Sequence, residues 1–203
     1  MRAFIVLGHR APLTPDFSLN DLPGSAGRLD ILCRCVTAAF CLSHVIRRDV
    51  AVYLVLKDQI IVRLDGSRLK HLNPDERSTA ALIQKALKAS SESKGREREI
   101  ESKPGIFVAG GGLSDVLKRV QKAGLAIYML HERGAPIRQA QISSDAAFVL
   151  SDHLEFLHEE EALLERFPRL SVGPLSLHAD HCIVIVHNEL DLRAGLAPAG
   201  ALS

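Results

Sequence analysis

The sequence predicts an α/β layered fold, and three observations predict it. Between Gly124 and Leu175 three short apolar runs, AIYMLHE, AAFVLSD and LSVGP, each end in small or polar residues. The last two are separated by DHLEFLHEEEALLERF, whose Phe156, Leu163, Leu164 and Phe167 form a helical stripe. Upstream, a buried strand, an amphipathic helix and a hairpin show the same mixture of periods. Strands alternating with helices imply a parallel sheet covered on both faces.

The elements follow in order. Ala3 to Leu7 is an apolar run that reads as a buried strand, and a loop rich in Pro, Gly, Ser and Asn follows it. From Leu29 the apolar positions Leu32, Val36, Ala39, Phe40 and the later Ile46 recur at helical spacing, with Ser25 as the expected cap and Arg28 in the first turn. DVAVYLVL and IIVRLDG, separated by Lys57, Asp58 and Gln59, read as a hairpin. Asn73, Pro74 and Glu76 place a capped helix start, with Asn73 as N-cap and Glu76 at its third position. Residues 91–103 alternate in charge without apolar periodicity and are expected to form a mobile loop or a solvated helix extension. PGIFVAGGG gives a short strand and a turn into a helix from Leu113 to Ala123. Cys182 to Val186 fits a buried strand by propensity and a helix by length, so periodicity leaves it open.

Composition narrows the class. With 47% hydrophobic and 24% charged residues, the 203-residue chain is ordinary globular material. We expect one domain over 1–193 and a disordered tail over 194–203. No apolar run approaches the roughly 18 residues that a membrane span needs, and the opening MRAFIVLGH lacks a basic n-region and a cleavage site. A cytoplasmic protein without a membrane partner is therefore expected. The net charge is only +1, yet residues 1–72 carry ten Lys/Arg against six Asp/Glu, and residues 145–170 carry seven Asp/Glu against two Arg. A basic front half can attract phosphate while an acidic patch repels it elsewhere. Neither Cys33, Cys35, Cys41 and His44 nor His178, Asp180, His181 and Cys182 has the spacing of a zinc knuckle, so no metal is expected.

Chemistry is expected at the strand ends. In open α/β sheets ligands sit at the carboxyl ends of strands. Those ends read Leu130 to Gly134, Leu150 to His153 and Ser171 to Leu175, with small residues that let a ligand approach the backbone. The dinucleotide fingerprint, the P-loop and the GxSxG elbow are all missing from the sequence, which removes three large enzyme classes. The loop SLNDLPGSAGRLD gathers Asn20, Asp21, Ser25, Arg28 and Asp30 at the mouth of a helix. Arg28 and the helix amides could bind a phosphate or a developing oxyanion, with Asp30 as proton acceptor or Arg orienter. An internal Arg–Asp pair accounts for the same residues. With no Trp and two Tyr, stacking on an aromatic sheet is disfavoured, so RNA would be held by shape and backbone.

The runs FIVLGHRAPLTPDFSLNDLPGSAGRLDILCR, LNPDERSTAALIQKAL, LHERG, FVLSDH and SVGPLSLHADHCIVIVHNELD occur in this order from Phe4 to Asp191. They resemble the archaeal tRNA pseudouridine-54 N1-methyltransferase family of the SPOUT class. The resemblance implies a SPOUT-type layered sheet flanked by helices with a C-terminal trefoil knot. It further implies S-adenosylmethionine bound in that knot, a homodimer, and methyl transfer to N1 of pseudouridine in the T-loop of tRNA. It makes the Cys182 segment a helix. Carried onto this chain, it gives Leu130, Ser151, Ser171, Val172, Gly173, Pro174, Leu175, Ser176 and Cys182 as cofactor contacts. The family commonly has Gly at Ser151 and Leu at Val172. Arg28, Asp30 and Asn20 are then the catalytic candidates, and Arg47, Arg48 and Arg77 the RNA contacts. The same motifs are compatible with another RNA target, such as ribosomal pseudouridine, or with a non-catalytic RNA-binding dimer.

Overall fold

A computed structural model describes residues 1–92 and 98–195. The centre of the charged segment and most of the expected tail lie outside the described residues. Strand β1 (Arg2–Gly8) is buried at every position, as a central strand covered on both faces must be. Helix α1 (Leu22–Ser25) is a single turn capped by Asp21, whose carboxylate accepts the Gly24 N–H at 3.0 Å. Helix α2 (Leu29–Phe40) starts afresh, with Arg28 as its N-cap in the left-handed conformation. Ser25 therefore does not cap α2, contrary to expectation; its hydroxyl donates back to the Asp21 carbonyl at 2.6 Å. Gly27 separates the two helices where a Cβ would fall 1.9 Å from the Arg10 carbonyl oxygen, so only glycine fits this turn.

Strands β2 (Val50–Leu56) and β3 (Ile60–Asp65) form the expected hairpin. Lys57 and Asp58 both have positive φ, the signature of a type I′ turn that matches strand twist. Helix α3 (Glu76–Glu92) is capped by Asp75, which accepts the Ser78 N–H at 2.7 Å. Asn73, the expected cap, lies outside the helix and donates to the Ser78 hydroxyl instead. A carboxylate three residues before the amide outcompetes an Asn placed before a proline. Strand β4 (Ile100–Lys103) pairs antiparallel with β5 (Ile106–Gly110) and alternates half-buried with exposed residues. The end of the charged segment is thus an edge strand, not a loop or a helix extension.

Helix α4 (Leu113–Lys122), strands β6 (Ala126–Pro136) and β7 (Ala146–Ser151), helix α5 (His158–Leu164), strand β8 (Arg169–Ser171) and helix α6 (Ala179–Arg193) complete the described chain. In the stripe expected on α5, Leu164 is buried whereas Leu163 is 37% exposed, since α5 is two turns long and covers the sheet with one row. The Cys182 segment is helical. The eight strands run β4-β5-β3-β2-β1-β7-β6-β8. β1 is parallel to β2 and β7, and β6 is parallel to β7 and β8. The β2–β3 and β4–β5 pairs are antiparallel because tight turns return the chain directly, and β3 and β5, which have α3 and β4 between them in the chain, also pair antiparallel. The parallel expectation therefore holds for the half of the sheet that carries the expected ligand loops.

Alternate sheet residues feed two cores. Phe4, Val6, Val52, Leu54 and Phe148 pack with α2, α3 and α6, whereas Ile5, Leu7, Val55 and Val149 pack with α4 and α5. Helix α6 is pinned to the middle of the sheet. Its buried His187 donates from Nε2 to the Ala39 carbonyl at 3.0 Å and accepts the Arg2 guanidinium on Nδ1 at 3.0 Å. Asp191 binds both Arg2 and Arg47, each at 2.6 Å.

Candidate functional site

Because β6, β7 and β8 are parallel, their carboxyl ends open on one side of the molecule. Between them lies a cavity of about 530 Å³, lined by residues 130–133, 150–156, 172–173 and 175–177 with Glu161, Leu170, Ala179 and Cys182. That volume falls within the roughly 300–1,000 Å³ usual for small-ligand sites. One wall is made by a detour in β6. Leu130 and Ala135 both pair with Leu170 of β8, so His131 to Gly134 leave the ladder between them. Gly134 permits this, since a Cβ there would sit 2.6 Å from the backbone of Arg169 and Leu170.

Seven of the nine expected cofactor residues, namely Leu130, Ser151, Val172, Gly173, Leu175, Ser176 and Cys182, line this cavity. Ser171 does not line it. Its hydroxyl donates to the Gly173 carbonyl at 2.6 Å and accepts the Gly173 N–H at 3.3 Å, folding the loop from beneath. Pro174 is exposed beside the lining. Ser151 turns its hydroxyl onto the Leu154 carbonyl, so the side chain that replaces the usual glycine is tied into its own loop. Leu130, Leu150, Leu170, Val172 and Ala179 give an apolar wall suited to a purine, while Glu132, Asp152, Glu155 and Glu161 supply negative charge suited to a cationic ligand. The Cys182 thiol is pushed up to about 11 by burial and by the nearby Asp180 charge, so it is a neutral packing group. A Cβ added to Gly173 would meet nothing within 4 Å, so its backbone is open to a ligand.

The catalytic candidates form a second cluster. Arg28 grips Asp30 with two parallel hydrogen bonds of 3.1 Å from Nε and Nη2. Arg34 adds a third to the same carboxylate at 3.2 Å and also reaches Glu76 of α3 at 3.2 Å. Its Nε lies 4.0 Å from Asp180 at the start of α6, two residues from the cavity-lining Cys182. Burial works against the Asp30 charge, but the two arginines overcome it and hold the carboxyl below its usual range. The Arg28 guanidinium is held charged by Asp30 first and then by the more distant Asp152 and Glu76. Asp30 thus holds both arginines in place and stays ionised.

The remaining expected residues divide. Asn20 and Arg77, both exposed, meet in one hydrogen bond from the Arg77 guanidinium to Asn20 Oδ1. Arg47 is bound to Asp191, and Arg48 donates to the carbonyls of Gly66 and Leu69, so both guanidiniums serve the fold. His9 was not foreseen. Its ring lies between Asp152 at 3.0 Å and Glu160 at 2.9 Å, and its N–H donates to Asp152 at 2.9 Å. Its partners stand more than 140 positions away, and the only local sign was a histidine directly after a buried strand. Among the described residues no group of three or more His, Cys, Asp or Glu is placed to hold a metal ion.

Comparison with known proteins agrees with this geometry. A family profile described as "Putative SAM-dependent RNA methyltransferase" matches residues 1–194. The tRNA (pseudouridine(54)-N(1))-methyltransferase of Haloarcula marismortui is 52% identical over 193 residues, covering 94% of this chain and 96% of that protein. The protein of the same description from Haloferax volcanii is 51% identical, with the same coverage. Among solved structures, Nep1 of Archaeoglobus fulgidus bound to S-adenosylhomocysteine matches with a TM-score of 0.64 at 17% identity. That alignment covers 95% of this chain and 99% of that one, and it establishes a shared fold.

Proposed function

This chain belongs to the family of SAM-dependent RNA methyltransferases, and we propose that it methylates N1 of pseudouridine 54 in the T-loop of tRNA. The observation that carries this reading is the cavity at three parallel strand ends, next to an arginine pair built on a buried carboxylate. The cavity suits S-adenosylmethionine in size, apolar wall and negative rim. Bound there, the cofactor supplies an electrophilic methyl carbon on a positively charged sulfur. Residues 172–176 would hold it with backbone groups, Leu130 and Ser151 would flank the nucleoside, and Cys182 would close the pocket.

The other half of the reaction needs a uracil-type N1 to lose its proton as it attacks. Negative charge then spreads onto the ring carbonyl oxygens, where a fixed cation stabilises it. Arg28 is that cation in this reading: its Nη1 makes no hydrogen bond among the described residues, while Asp30 fixes the plane of the group. Asn20 orients the base, and Arg77, which touches Asn20, contacts the RNA backbone. The segment from β8 at the sheet edge to α6 at its centre would form the trefoil knot. Among the described residues no helix is long and apolar enough to cross a membrane, and the reaction is assigned to the cytoplasm, where tRNA is found.

A homodimer is part of the proposal. Helix α6 buries Ile183 and Val186, yet leaves Val184 53% and Leu192 69% exposed. A helix apolar on both faces needs cover on both. Sedimentation of the wild type should give a dimer and of Val184→Glu a monomer. The activity is tested by incubating labelled S-adenosylmethionine with tRNA carrying pseudouridine or uridine at position 54. Label in 1-methylpseudouridine, dependent on prior pseudouridine, supports the reading; label in another nucleoside, or none, overturns it.

A further inference from the structure

His9 stands at the end of β1, outside the cavity, with its side chain 8% exposed. Each ring nitrogen faces a carboxylate oxygen, Nδ1 to Asp152 and Nε2 to Glu160. Carboxylates only accept, and a neutral imidazole has one N–H, so both bonds exist together only when the ring carries two protons. Asp152 follows Ser151 directly and accepts the Leu154 N–H at 3.0 Å, while Glu160 accepts the Leu157 N–H at 2.8 Å. The two partners of one ring therefore hold both ends of residues 152–157, which contribute much of the cavity wall.

We propose that His9 is a positioning residue for the cofactor cavity, an imidazolium clamp that fixes the chain between β7 and α5 in its ligand-binding form. The proposal rests on the cofactor assignment made above. Burial opposes the ring's charge, but the Asp152 and Glu160 hydrogen bonds outweigh it and raise His9 to about 9. The other charged residues lining the cavity beside this ring are Arg10 and, on the β2–β3 turn, Lys57 and Asp58. His153 Nδ1 lies 3.6 Å from Asp152 Oδ1, the same oxygen that meets the His9 ring.

The test measures S-adenosylhomocysteine binding by calorimetry from about pH 7 to pH 10.5 in the full-length wild type, His9→Gln and Glu160→Gln. Glutamine keeps one bond and cannot carry the charge. At neutral pH, His9→Gln should bind about tenfold more weakly, the worth of one charge-assisted bond. The gap should close as pH rises past about 9, where the wild-type ring loses its second proton. The ligand's own amine titrates equally in every sample and cancels in the ratio. Glu160→Gln, whose altered residue lines no part of the cofactor cavity, should move the wild-type inflection to lower pH. Equal affinities, or a gap constant with pH, overturn the clamp while leaving the cofactor assignment standing. A wild type that does not bind the ligand overturns the cofactor assignment and the clamp with it. Should His9→Gln fail to fold, the Glu160→Gln inflection decides: a downward move supports the clamp and an unmoved one refutes it.

Discussion

Arg28 has φ 67° and ψ 33°, an uncommon place for a long side chain. Such a backbone costs about 1–3 kcal/mol and persists where surrounding contacts over-determine it. Here the bidentate Asp30 contact does so, and the strain aims a cation at the mouth of α2. Arg28→Ala should leave S-adenosylhomocysteine binding unchanged and slow methylation by about 10²–10³-fold, as loss of one oxyanion donor does. Single-turnover transfer with saturating cofactor measures it. Arg28→Gly should be as inactive but about 1 kcal/mol more stable than Arg28→Ala in chemical denaturation, because glycine relieves the positive φ. The sequence marked this loop by residue chemistry, yet left the Arg–Asp pair open between a site and a structural contact. The structure joins the two readings, since the pair is internal and also shapes the candidate site. The Asn20–Arg77 contact and the His9 clamp were not legible, because each depends on residues that the fold brings together from distant stretches.

Among the elements, strand existence and order followed from apolar runs, whereas boundaries were decided by contacts that compete locally. Asp75 took the cap expected of Asn73, since a carboxylate at the right offset satisfies the free amides better, whereas α2, for which Ser25 was the expected cap, starts at Arg28 with no side-chain cap bond. The strand Ile100–Lys103 was hidden in a charged run because an edge strand needs only one apolar side. Two glycines at the ends of neighbouring strands separate fold from ligand. Gly134→Ala would drive a methyl group into the β8 backbone and should cost about 1–3 kcal/mol of stability, with cofactor binding lost as the wall shifts. Gly173→Ala meets open space and should change stability by less than about 0.5 kcal/mol, while weakening cofactor binding where the backbone is approached. Paired urea denaturation and calorimetry on the two variants check this contrast.

For the whole molecule, two histidines set opposing limits on stability. His187 is driven down to about 3 by burial and by Arg47 and Arg2, so it folds neutral. Its contribution is complete above the ordinary value of 6.5 and is lost as pH falls toward 3. The carboxyls of Asp30, Asp152 and Asp191, held below their usual range, add to the acid loss. His9 acts in reverse: its contribution is complete below 6.5 and is lost as pH rises through about 9. Tm should therefore peak near pH 6.5 and fall on both sides, with the alkaline fall reduced in His9→Gln; scanning calorimetry across pH measures it. The bond from Arg2 to His187 spans 185 residues, and it ties β1 to α6. A nascent chain leaving the ribosome consequently carries an unfinished centre until α6 emerges. Truncation within α6 should leave β1 open to proteases, however much of the preceding polypeptide is present.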